Sequence, residues 1–102
     1  MYAVVFCTSP LDDAKKIAVA LVEEKLVACV NVTEVNSYFR WEGAMEEEKE
    51  ALLIMKTRIE KVEDIIGRMK ELHSYEVPEI IALPIIAGHE GYLNWVADSV
   101  SE

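Results

Sequence analysis

The sequence predicts an α+β fold of the ferredoxin-like, split β-α-β kind: an antiparallel sheet built as β-α-β-β-α-β, with one further helix at the C-terminus. Three observations predict it. Two stretches place apolar residues at helical spacing, Ala14, Ile17, Ala18, Leu21, Val22 and then Val62, Ile65, Ile66, Met69, Leu72. A β-rich run precedes the first stretch and another follows the second. Between them lies a long Val-, Thr- and aromatic-rich region that alternates and turns back at Gly43.

Each element has its own signal. The run Tyr2–Thr8, "YAVVFCT", reads as the first strand and is bounded by Ser9-Pro10. Ser9 is cast as the cap of the helix that follows, Pro10 fits its first turn, and Asp12 and Asp13 suit its positive end. That helix is expected to end near Lys25. From Val27 to Trp41 the chain reads as a strand, "EGAMEE" as a turn, and "KEALLIMKT" (Lys49–Thr57) as the returning strand. At roughly 3.4 Å per residue the hairpin arms extend toward 50 Å, so a bend or bulge is expected near Val35-Asn36. Thr57 to Glu60, "TRIE", matches a capping box for the second helix. Ile80–Ile86 reads as the last strand, where Pro84 demands an edge or a bulge. A short helix fits "EGYLNWVADSV". The sheet order expected is 4-1-3-2, with both long helices on one face.

Composition narrows the function. The 102 residues make one domain, 1–102. Acidic side chains outnumber basic ones 19 to 10, for a formal charge of −9, a field that repels nucleic acid and anionic lipid and attracts cations. No apolar run is long enough to cross a bilayer and the N-terminus lacks a signal-peptide pattern, so a cytoplasmic protein is expected. Glycine-rich phosphate loops, HExxH and GxSxG are missing, which argues against an enzyme.

The strands carry more oil than one layer of helices hides. "AVVFC", "ALLIM" and "IIAL" are apolar at consecutive positions, so both faces of the sheet need cover. A homo-oligomer is the expected solution, with the overlong hairpin reaching a neighbour; a monomer lidded by its last helix is the alternative.

In the predicted topology Cys7, the hairpin turn at Trp41, His73 and Glu79 share one end of the sheet. The connection His73–Glu79, "HSYEVPE", therefore gathers chemistry. Three readings stand for His73: a helix C-terminal residue favoured by the dipole, a metal ligand with Cys7, or a member of a polar pocket with Tyr75 and Glu79. Thiolate and imidazole suit copper first and zinc second. The run "MEEEKE" reads as a solvated strand edge, and Tyr38 and Trp41 as hairpin packing or interface anchors.

Taken together, "FCTSPLDDA", "EKLVACVNV", "SYFRWEGAMEEEKEALLIMKT", "HSYEVPEIIALPI" and "YLNWV" resemble, in order and spacing, the CutA divalent-cation tolerance family over nearly the whole chain. The resemblance implies a cytoplasmic ferredoxin-like homotrimer with a PII-like assembly, linked to heavy-metal tolerance and copper binding. It carries the family's metal contacts onto Cys7 and His73. Leu72 stands where some members have a second histidine, and Ser74 where they have proline. The competing expectation is a regulatory trimer whose inter-subunit clefts, with Trp41, Lys56, Tyr75 and Glu79, bind a small molecule or a partner protein.

Overall fold

A computed structural model describes residues 1–102. In chain order the elements are β1 (Tyr2–Ser9), α1 (Ala14–Glu23), β2 (Cys29–Trp41), β3 (Ala44–Arg58), α2 (Val62–Leu72), β4 (Ile80–Ile85) and α3 (Glu90–Ser99). The four strands form one antiparallel sheet in the order β2-β3-β1-β4, as the sequence pattern requires. Pro84 lies in β4, which is an edge strand and tolerates its missing donor.

The pleat of β1 and β3 sorts the core. Ala3, Val5, Cys7 and Ser9 alternate with half-buried neighbours, and Ala51, Leu53, Met55 and Thr57 do the same on β3. These buried rows face α1 and α2, where Ile17, Leu21, Ile65 and Met69 complete a fully dry cluster. The opposite rows, Val4 and Phe6 on β1 with Leu52 and Ile54 on β3, are only half-buried. On that face α3 lies against β3, with Val96 buried and the Tyr92 phenol beside Cys29.

Both expected helix caps are corrected. Ser9 and Thr57 are strand residues on the helix-facing side, fully buried, and their hydroxyls donate to carbonyls instead: Ser9 Oγ to Pro10 at 2.9 Å and Thr57 Oγ1 to Leu26 at 2.7 Å. Each helix is entered through a 3₁₀ turn, Leu11–Asp13 or Ile59–Lys61, with Asp12, Asp13 and Glu60 near its positive end. Helix α1 ends two residues before Lys25, which adopts φ 59° while the Leu26 amide bonds back to the Leu21 carbonyl at 3.0 Å.

The returning strand is longer than expected, Ala44–Arg58, and the hairpin carries no bulge. Pairing runs unbroken from Cys29–Lys56 to Trp41–Ala44. The turn is only Glu42-Gly43, both at positive φ (48° and 81°), the geometry that matches the twist of the flanking strands. Because β1 ends where Ser9 pairs with Ala51, the hairpin beyond Ala51 stands clear of the rest of the sheet, and the molecule measures 45 × 26 × 21 Å. No helix is long and apolar enough to cross a membrane.

The Thr57 bond stitches the β2 approach to the core. Thr57→Val should lower unfolding free energy by about 1–3 kcal/mol, because the Leu26 carbonyl loses this partner. Chemical denaturation at fixed protein concentration measures it.

Candidate functional site

The loop His73–Glu79 is a strap pinned by three successive side chains to three elements. β4 begins at Ile80, opposite Cys7, so Thr8 has no partner on that flank of β1. His73 supplies one: its Nε2 donates to the Thr8 carbonyl at 2.6 Å. The other ring nitrogen, Nδ1, accepts the Tyr75 amide at 3.0 Å, which fixes the neutral Nε2–H tautomer. Ser74 Oγ donates to Asp13 Oδ2 at 2.8 Å, tying the strap to the start of α1. The Tyr75 hydroxyl donates to Glu50 Oε2 on β3 at 2.8 Å, and its ring lies 4.8 Å from the His73 ring.

Cys7 is also turned toward Thr8. It occupies a fully buried position on the helix-facing row of β1, and its Sγ donates to the same Thr8 carbonyl at 3.4 Å. Thiol and imidazole therefore converge on one oxygen. Burial, reinforced by the nearby Glu79 and Glu50 charges, pushes the Cys7 thiol up to about 12. Around neutral pH it is a thiol. Burial, the hydrogen bond to Glu50 and the charges of Glu50, Glu48 and Asp13 likewise push the Tyr75 phenol up to about 12. No three His, Cys, Asp or Glu side chains gather with ligand geometry.

Of the four residues expected in a cleft, three share a concavity. Trp41, Tyr75 and Glu79 line a hollow of about 1080 Å³ between the hairpin, the strap and the segment after β1. Lys56 is elsewhere. It lies near the far end of β3, on the row that carries Leu52 and Ile54, where its Nζ bonds the Asn31 side chain and lies 3.8 Å from the Cys29 sulfur. Trp41 is not at the level of Cys7 either, since it pairs with Ala44 near the hairpin tip while Ser9 ends β1 opposite Ala51.

Glu50 is the participant that sequence reasoning passed over. It sits in the acidic run read as a solvated edge, yet it is 6% exposed. The pleat splits that run: Glu46, Glu48 and Glu50 line the hollow, while Glu47 takes the Tyr38 hydroxyl at 3.0 Å and Lys49 pairs with Glu34 at 3.4 Å. The available signal was parity, since Glu50 falls in step with Leu52 and Ile54 on β3.

A family model described as CutA1 divalent ion tolerance protein matches residues 3–99. A divalent-cation tolerance protein CutA of Archaeoglobus fulgidus is 41% identical over 101 residues, covering 98% of this chain and 99% of that protein. A CutA homolog of Xenopus laevis is 48% identical over 99 residues; they span 95% of this chain but 66% of the longer frog protein. Among solved structures, the Archaeoglobus fulgidus protein, described as a periplasmic divalent cation tolerance protein, superposes with a TM-score of 0.97 at 40% identity, covering 99% of this chain and 100% of that one. The divalent cation tolerance protein of Thermus thermophilus gives 0.94 at 44%, covering 97% and 98%. These descriptions name a tolerance to divalent cations rather than a catalytic activity.

The buried, protonated state of Cys7 has a direct chemical readout. In a Cys29→Ser variant at pH 8, Cys7 should react with a disulfide reagent at least about a hundredfold more slowly in the native protein than in denaturant, because thiolate and access are both required. Equal rates would contradict the placement.

Proposed function

This chain belongs to the CutA1 divalent ion tolerance protein family, and on that premise we propose that it serves divalent-cation tolerance as a non-enzymatic homotrimer that takes up copper through Cys7 and His73. The observation that carries the reading is the meeting of a thiol and an imidazole on the Thr8 carbonyl. Sulfur and imidazole are donors that soft and borderline ions select. A pair of them suits low-coordinate copper, whereas a structural zinc would take four.

The residues fit such an ion on stated terms. The Cys7 thiol gives up its proton, because the thiolate is the ligand. His73 is already neutral and exchanges one of its two hydrogen bonds for the ion. The Glu79 and Glu50 charges that oppose a bare thiolate favour a cation in the same place.

Assembly is supported by the sheet. Ile81 and Leu83 on the β4 edge are 53% and 51% exposed, and Val32 and Phe39 on β2 are open as well. Large apolar patches of this kind mark surfaces that meet other protein. Two unpaired cysteines, Cys7 and Cys29, suit the reducing cytoplasm, which is the compartment proposed, although some relatives are described as chloroplastic or periplasmic.

Copper titrated into the parent, Cys7→Ser and His73→Ala proteins tests the reading. Each variant should bind about tenfold or more weakly. With the thiol raised to about 12, one proton leaves it per ion bound, so parental affinity should rise about tenfold per pH unit across the neutral range. Identical isotherms for all three proteins would remove these residues from the site.

A further inference from the structure

We propose that Cys29 and Lys56 form a redox modification site, at which a hydroperoxide converts the thiol and the neighbouring amine into a reversible sulfur–nitrogen cross-link. The two residues stand directly opposite each other on β2 and β3. The backbone fixes that meeting, since the Ala28 amide donates to the Lys56 carbonyl at 2.8 Å. Both side chains are half-buried. Lys56 Nζ lies 3.8 Å from Cys29 Sγ and also bonds the Asn31 side chain. No carboxylate lies within ion-pair distance to draw the ammonium away. The pair sits at the base of the hairpin, where Val4 of β1 flanks Lys56 and α3 lies against β3, so one chain supplies every group. Tyr92 of α3 is beside the sulfur, and burial together with that thiol raises its phenol above the ordinary range.

The chemistry follows from this contact. A thiolate is the form that attacks a hydroperoxide. Its sulfur takes one peroxide oxygen as the O–O bond breaks, so sulfur is oxidised by two electrons and the other oxygen leaves as hydroxide. The product is a sulfenic acid, which is electrophilic at sulfur and condenses with a nearby nitrogen. Deprotonated Lys56 attacks it: the S–N bond forms, the S–O bond breaks, and the departing hydroxide takes a proton from nitrogen and leaves as water. From thiol, ammonium and hydrogen peroxide the products are the linked pair, two waters and a proton. The link spares the sulfur further oxidation, and a thiol reductant reopens it. Cys7 offers no such course, because it is fully buried, held protonated, and donates to a carbonyl rather than meeting an amine.

Intact-mass spectrometry and peptide mapping after excess hydrogen peroxide at about pH 8.5 test the site, with dimedone as the trap for unlinked sulfenic acid. The parent chain should lose about 2 Da, its Cys29 and Lys56 peptides should map as one species, and a thiol reductant should restore both. Lys56→Arg keeps the positive charge but offers no amine to condense. It should show no link and take dimedone on Cys29 about tenfold more than the parent. Cys7→Ser should link as the parent does, which separates the cross-link from an internal disulfide of equal mass loss and from the proposed copper site. Equal dimedone uptake at Cys29 in the parent and Lys56→Arg would overturn the inference. So would the same mass loss in Lys56→Arg or its disappearance in Cys7→Ser. A parent Cys29 left unmodified, joined to a second copy in a disulfide or carried straight to sulfinic acid would overturn it as well. Should Lys56→Arg not fold, Cys7→Ser and the mapped peptides decide the matter.

Discussion

Everything in this molecule turns on a sheet that is apolar on both faces while only one face is fully roofed. Val5, Cys7, Leu53 and Met55 are sealed beneath α1 and α2. Their pleat partners Val4, Phe6, Leu52 and Ile54 receive only α3, and Ile81 and Leu83 remain half in water at the β4 edge. Burying a large apolar side chain contributes about 1.5–3 kcal/mol, and net stabilities are of the order of 5–15 kcal/mol. A row of such residues left wet is therefore a first-order matter for this chain.

The polar chemistry is organised around the end of β1, where the sheet loses a neighbour. Thr8 has no β4 partner, and both the His73 imidazole and the Cys7 thiol turn to its carbonyl. The same strap then carries Tyr75 to Glu50. One short loop thus positions a soft-donor pair on its inner side and an acidic, aromatic hollow on its outer side. Negative charge links the two: Glu50 and Glu79 raise the Cys7 thiol, and Glu50 also raises the Tyr75 phenol.

Much of this was legible in the residues, and the failures have physical causes. Helical and alternating periodicities are local, so element order and strand order followed from them. Ser9 and Thr57 were misread because a hydroxyl at a strand end serves a buried carbonyl as readily as a helix amide. The turn at Glu42-Gly43 was drawn too wide because its acidic neighbours look like loop, whereas cross-strand partners such as Tyr38 with Glu47 hold them in β3. Within one chain Lys56 lies away from the hollow, because register puts it beside Cys29 and Asn31. Glu50 is missed because a charged run reads as solvated, although its parity places it on the row of Leu52 and Ile54.

We propose that the uncovered sheet face and the free-standing hairpin belong to an interface between copies of this chain. Light scattering coupled to size exclusion at micromolar concentration measures it directly. The expected result is a single species of about three times the 11.5 kDa chain mass. A well-folded species at 11.5 kDa would contradict it.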